Sequence, residues 1–484
     1  MNLKALLLVT AALACGTTPA LAKPKAKSVA PAAAVAEASE VTAARLRDAA
    51  LQSNGAYEFV AQLTTRFGAR PAGSESERKA AEWSAAELKK MGFENVRIET
   101  FPLVIWQRGA ESLEITGPFA QKMVVTALGG SGATPAEGVE GEAALFETYA
   151  EFIDSKADLT GKIVVILQPT VRTQTGQGYG VNSGSVRRSG PEEAKKRGAV
   201  GYVMRSLGTE DHRFAHTGAT RFTGLDGLPA LAMSPPDAEQ FERLLKLQRA
   251  GEAGPLRLKM LSTPTVRTGG QSQNVIAEIK GSKRPEEIIT IGGHLDSWDL
   301  GTGAIDDGAG VAITMATAKL MIDHKLRPER TVRVVFWGSE EVSQPGDLGL
   351  SGAVAYAKSS DKDKHIAAAE SDFGADVIYS LALPKSDAPD FNKTLGKILY
   401  PLGIFIERDP ATGGGPDTSP LNAKGVPIFD LQQDGTDYFD VHHTADDTLD
   451  RIDPKKMSQN VAAWAATVWM IANTSVTFQP TNGK

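Results

Sequence analysis

EEIITIGGHLDSWDLGTGAIDDGAGVAITMATAKLMIDHKLRPERTVRVVFWG, residues 286–338, decides the fold. EEIITIGG (286–293) and RTVRVVFWG (330–338) are dense β-branched runs of strand length. Between them, GVAITMATAKLMID (310–323) has the length and apolar content of a buried helix, and Arg327-Pro328 closes it. Strand, helix, strand at this spacing is a βαβ unit, and it implies a parallel sheet. The glycine-rich stretch 291–310 joins the first strand to the helix and carries His294, Asp296, Asp306 and Asp307.

Outward from that unit, Ser74 and Glu77 form a capping box ahead of a helix that runs to about Met91, where Gly92 ends it. NVRIETF (95–101) reads as a strand with Val96 and Ile98 on one face. More strands are expected at about 366–372 and 426–431, and a terminal helix at about 455–473. Residues 137–263 interrupt the pattern. GKIVVILQP (161–169) is a strand, EEAKKRGAVGYVMRS (192–206) a helix leading into a strand, and LPALAMSPPDAEQFERLL (228–245) a strand and then a helix. A small α/β module inserted in a loop of the main domain (41–136 and 264–484) fits this order. Within it, TQTGQGYGVNSGSVRRSG (173–190) is polar and glycine-rich and reads as a mobile surface loop.

With 484 residues, the chain is too long for one ordinary core and calls for two domains or one with a large insertion. Hydrophobic content of 42% and charged content of 23% fit a soluble globular protein. A net charge of −6 gives no electrostatic case for nucleic acid as a partner. Lys4, the apolar run 5–15 and Ala20-Leu21-Ala22 form a cleavable signal peptide over residues 1–22, followed by an Ala/Lys/Pro-rich tether over 23–40. A secreted or periplasmic location follows, with no membrane association after cleavage. Lipid anchoring through Cys15 is the alternative, weakened by Ala12 where such signals usually carry Leu or Val. Cys15 is the only cysteine, so the mature chain would have neither disulfides nor thiolate ligands.

The residues that carry chemistry are His, Asp and Glu. A lone histidine ending a buried strand is ordinarily a core residue. Asp296, two residues after His294, changes that, because it could accept the other ring N–H and fix the tautomer. Asp306-Asp307 at a helix start could be N-cap carboxylates, a fair account of Asp307 and a weaker one of Asp306. Glu340 and Glu341 follow a strand directly and would repel each other unless a cation or proton intervened. Asp372 ends a further strand. Open α/β sheets gather sites at the carboxyl ends of their strands, which could bring these groups together. His442 and His443 are adjacent, and only one is expected to point into the site; Asp447 could orient His443. Two histidines and three carboxylates suit zinc, with cobalt or manganese as substitutes. Two such ions would activate a water held between them, with Glu340 as the general base.

RPAGS (70–74), HLDSWDLGTGAIDDGAG (294–310), GSEE (338–341), ESDFG (370–374), GGGPDTSPL (413–421) and YFDVHHTADDT (438–448) together resemble the di-zinc aminopeptidase and glutamate carboxypeptidase superfamily, most closely its carboxypeptidase Q (plasma glutamate carboxypeptidase) branch. The resemblance implies a zinc-peptidase sandwich with a mixed, mostly parallel central sheet flanked by helices, and a protease-associated-like module at 137–263. It implies one zinc on His294, Asp306 and Asp372 and another on Glu341, His443 and the bridging Asp306. Glu340 becomes the general base, Asp296 the orienter of His294, and a cis peptide links Asp306 to Asp307. It further implies a homodimer that hydrolyses small unblocked peptides, chiefly dipeptides. Gly414, Gly415, Asp417, Tyr438 and His442 are candidate substrate contacts. The competing readings are a non-catalytic receptor or binding protein on the same scaffold, and an acyl-amino hydrolase or glutaminyl cyclase.

Overall fold

A computed structural model describes residues 37–221, 225–346 and 349–481. The expected signal peptide, Cys15 and most of the tether lie outside the described residues. The end of the tether, 37–40, already belongs to a helix, α1 (Glu37–Ala50). A second helix, α2 (Gly55–Phe67), precedes the capping box; neither helix was anticipated from the sequence. At α3 (Glu75–Lys90) the Ser74 hydroxyl accepts from the Glu77 amide at 3.1 Å. The Glu77 carboxylate reaches back to the Gly73 amide, one residue further than a simple box requires.

The central sheet contains β1 (Glu94–Gln107), β2 (Thr265–Ile279), β3 (Arg284–His294), β4 (Arg330–Trp337) and β5 (Lys364–Glu370), in the order β1-β2-β4-β3-β5. Strands β3, β4 and β5 run parallel, and β1 and β2 pair antiparallel. Because β2 also meets β4 antiparallel, the sheet is mixed, with β2 alone running against the other four strands. Parallel pairing needs a crossover helix. Such helices stand between β3 and β4, as α4 (Ala309–Asp323), and between β4 and β5, as Ser351–Ser359. Strand β4 is buried along its whole length, which is why it reads as an almost unbroken apolar run. Helices α2, α4 and the terminal α5 (Pro454–Ala472) share one core with β3 and β4.

Two strand expectations change. Ile98 is exposed and Val96 is half-buried against the core; the buried side chains of β1 are Phe101 and Leu103. The strand expected at 426–431 begins at Asp430 and runs to Gln433, within a three-stranded sheet with Ile378–Ala382 and Phe405–Ile406. Upstream of it, Ile428 makes only an isolated parallel bridge to Ala368.

Between β1 and β2 the chain builds a second, eight-stranded sheet, with its own apolar clusters. Its strands run from Glu111–Gly117 to Arg257–Ser262, so it starts upstream of the sequence-based boundary at residue 137. The segment 173–190 is not an irregular loop. It is helical from Gln177–Asn182 through a π-helical Ser183–Ser189 to Gly190–Lys196. All the described residues belong to one compact unit.

Candidate metal centre

Because β3, β4 and β5 are parallel, their carboxyl ends meet at one edge. His294 is the last residue of β3, Glu340 and Glu341 follow β4, and Asp372 follows β5. Asp306 enters from the turn before α4, where the Asp306–Asp307 peptide is cis. The Asp306 carboxylate lies at the centre. Its Oδ1 is 3.1 Å from His294 Nε2, which is itself 3.4 Å from Asp372 Oδ1. Its Oδ2 is 3.2 Å from His443 Nε2, which is 3.0 Å from Glu341 Oε2. One carboxylate thus faces two separate donor sets.

Hydrogen bonds fix the tautomers. His294 Nδ1 lies 2.9 Å from the Asp296 carbonyl, and His443 Nδ1 lies 3.2 Å from the Thr217 carbonyl. A carbonyl only accepts, so both Nδ1 atoms carry hydrogen, and both Nε2 atoms face the carboxylates, where each would offer a lone pair to a metal once its own proton is lost. Asp296 therefore orients His294 through its backbone, its carboxylate standing 3.7 Å away. That carboxylate accepts instead from the amides of Glu340, at 3.0 Å, and Glu341, at 3.3 Å. These bonds hold the turn after Ser339, whose φ of 64° lies in the left-handed region.

Asp447 does not touch His443. Its oxygens accept from the amides of Ala304, Ile305 and Asp306, so it sets the loop that delivers Asp306. Asp307 accepts from the amides of His294 and Gly310, in keeping with a helix-capping role. Both His442 and His443 point inward, against the expectation that only one would. His443 has a φ of 63°, which turns its ring back onto that of His442; the two stack at 3.5 Å, and His442 Nε2 is 3.4 Å from Asp306 Oδ2.

Two contributors have no signal of periodicity or spacing. Trp298 donates its indole N–H to Glu341 Oε2 at 2.6 Å. Arg70, fully buried, donates to the carbonyls of Gly68, Leu295, Thr302 and Gly303 and clamps the 295–303 loop. The arginine of RPAGS is the visible mark of that clamp.

Burial pushes the Glu340 carboxyl up to about 8, helped by Asp372, Asp296 and Asp306. Burial likewise raises Glu341, Glu370, Asp372 and Asp417. For Asp306 burial acts in the same direction, but His294, His442 and His443 outweigh it and hold the group well below its usual range. Crowded buried carboxylates of this kind must either hold protons or face cations. Asp306 Oδ2 and Glu341 Oε1 are buried without a hydrogen-bond partner among the described residues, and the nitrogen and oxygen donors form ligand-sized groups, including His294, Asp306 and Glu341. The donor set fits a divalent metal of the zinc type.

The centre opens into a cavity of about 610 Å³, a size suited to a small ligand. Glu340, Gly414, Gly415, Tyr438 and His442 line it. Asp417 does not; its carboxylate is buried, and its amide donates to Glu370. The other wall comes from the helical segment misread as a loop. Tyr179 stacks on Phe439 at 4.3 Å and meets His442 edge-on at 4.8 Å. Arg187 and Arg188 flank Tyr179.

Residues 274–468 match the model of Peptidase family M28. Carboxypeptidase Q from Bos taurus is 34% identical over 424 residues, 87% of this chain and 86% of the relative. The chain belongs to peptidase family M28. As an M28 member it is an enzyme of the zinc-dependent metallopeptidase class, and it is homologous to carboxypeptidase Q; the Homo sapiens form is 32% identical over 423 residues. The crystal structure of a Peptidase M28 precursor from Shewanella amazonensis SB2B superposes with a TM-score of 0.87 at 42% identity, covering 93% of this chain and all of the other. BSAP, a zinc aminopeptidase from Bacillus subtilis, shares the M28 fold at a TM-score of 0.60 and 17% identity, covering 87% of this chain and 95% of its own.

Proposed function

We propose that this M28 protein is a di-zinc exopeptidase acting on small unblocked peptides, chiefly dipeptides. One zinc would be held by His294, Asp306 and Asp372, the other by Asp306, Glu341 and His443. The observation that carries this reading is the Asp306 carboxylate, with each oxygen facing its own donor set and Oδ2 buried without a hydrogen-bond partner among the described residues. Bound there, the ions would polarise the scissile carbonyl and make a water acidic enough to attack it. Glu340, whose carboxylate makes no hydrogen bond among the described residues and lines the cavity, takes the proton from the attacking water and passes it to the leaving amine. Asp296 holds Glu340 and Glu341 in place by their amides. Tyr438, His442 and the Gly414-Gly415 turn contact the substrate.

The name of the relatives, carboxypeptidase Q, supports an exopeptidase over an acyl-amino hydrolase or cyclase. The presence of Glu340 beside every ligand argues against a binding protein. The second sheet serves as a protease-associated-like module that shapes access, the enzyme acts as a homodimer, and the N-terminal segment directs it to a secreted or periplasmic location. A panel of free, N-acetylated and C-amidated dipeptides given to the zinc-loaded protein tests the substrate class. Fastest turnover of the free dipeptides supports it; faster cleavage of N-acetylated substrates moves the reading to an acyl-amino hydrolase, and no turnover revives the binding protein.

A further inference from the structure

The turn that carries His442 and His443 is held by the second sheet. There, the loop after the strand Gly201–Arg205 runs against it. At one end of this loop, Thr209 donates its amide to the Phe439 carbonyl at 3.2 Å and its hydroxyl to Asp440 at 2.6 Å. At the other, the Thr217 amide donates to the His443 carbonyl at 3.0 Å, and the Thr217 carbonyl accepts from His443 Nδ1. Next to Thr217, His216 Nδ1 lies 2.7 Å from the His442 carbonyl. A carbonyl only accepts, so this ring nitrogen donates. The two carbonyls that bracket the left-handed backbone of His443 are thus fixed by residues 216 and 217.

His216 is itself held. Its Nε2 lies 2.8 Å from Glu210 Oε2, both side chains are 3% exposed, and its amide donates to Ser206 Oγ at 3.0 Å. Gly208 makes room for the pair, because a Cβ there would collide with both His216 Nε2 and Glu210 Oε2. Packing alone does not account for the arrangement. Replacing a buried pair of this kind by apolar residues of similar volume is often neutral or stabilising. Glu210 Oε1 is, moreover, buried without a hydrogen-bond partner among the described residues. What an apolar residue at 216 cannot do is donate to the His442 carbonyl. We propose that His216, held by Glu210, is a positioning residue for the metal centre. Through the His442 carbonyl it fixes the turn that aims His443 Nε2. It thereby governs metal affinity at the Glu341–His443 position and leaves the His294–Asp372 position alone. This rests on the ligand assignment given above.

The test compares two double variants of the full chain, His216→Leu with Glu210→Gln and His216→Asn with Glu210→Gln. Leu and Asn are close in shape, and Glu210→Gln leaves no buried carboxylate without its partner. The two proteins differ chiefly in that Asn keeps a donor where Nδ1 stood. Metal-free protein is titrated with cobalt(II), followed by calorimetry and by the visible absorption of the bound ion. His443→Ala marks which binding step and which band belong to the Glu341–His443 position. The Leu variant should lose about 10- to 100-fold in affinity at that step, the range for groups that orient metal ligands, with its band altered and the other step at wild-type strength. The Asn variant should recover most of both. Gly208→Ala keeps both side chains but forces them apart; it should give the same selective loss, and it replaces the Leu variant should that protein not fold. Two wild-type steps in the Leu variant, an equal loss on both steps, or an equal loss in the Leu and Asn variants overturns the positioning role. Two wild-type steps in His443→Ala overturn the ligand assignment itself, and with it the role of His216.

Discussion

Replacing Glu340 by Gln isolates the proton transfer from everything else at the centre. The side chain keeps its shape, and the bonds that fix this turn run from Asp296 to the amides of Glu340 and Glu341, which the substitution leaves intact. The Glu340 carboxylate itself has no hydrogen-bond partner to lose among the described residues. A general base contributes about 10²–10⁴ in rate, or about 2.7–5.4 kcal/mol of barrier. The expected kcat of Glu340→Gln on alanylalanine is therefore lower by about 10²–10⁴, with KM changed little and zinc content equal to wild type by mass spectrometry. Folding should not suffer. Glu340 is pushed up to about 8 by burial and like charges, so its removal relieves repulsion and the melting temperature of the zinc-free variant should match or exceed that of wild type. Turnover within tenfold of wild type with zinc retained would place the base elsewhere. Loss of zinc would make Glu340 a ligand.

Trp298→Phe removes the indole donor to Glu341 and should weaken zinc binding about 10- to 100-fold, read by competition with a chelating dye; unchanged affinity would make that bond incidental. His443→Ala should retain one zinc while His442→Ala retains both, and the reverse result would move the ligand to His442. In zinc-free protein, Glu340 is pushed up to about 8 by burial. Burial lowers His294, but the surrounding carboxylates of Asp296, Asp306 and Asp372 outweigh this and hold it well above its usual range. Both groups bind protons more tightly in the folded state, so their contribution is lost as pH rises. His443, pushed down to about 4 by burial, opposes this only below its usual range. The zinc-free melting temperature should fall between pH 6.5 and 8 while that of the zinc-loaded protein does not; a flat or rising zinc-free profile would contradict the assignment.

The βαβ unit was legible because buried strands and a buried helix write themselves as apolar runs of different length. The same order announced that His294, Glu340, Glu341 and Asp372 would share one sheet edge. Orientation was not legible. Spacing suggested that the Asp296 carboxylate serves His294 and that Asp447 serves His443, yet both bind backbone amides instead. The direction of a side chain depends on turn geometry that composition does not record. The inward turn of both histidines comes with a left-handed φ at His443, a conformation uncommon outside glycine even though histidine adopts it more readily than most residues. The segment 173–190 was misread because glycine and polar residues give no helical period. Its order comes from tertiary contacts, Tyr179 on Phe439 and Arg187 over Gly218.

The central claim is that Asp306 bridges two metal ions, and anomalous diffraction at the zinc edge from zinc-loaded crystals tests it most directly. The account predicts two peaks per chain, one among His294, Asp306 and Asp372 and one among Asp306, Glu341 and His443. A single peak, or two peaks of which neither is shared by Asp306, would contradict it.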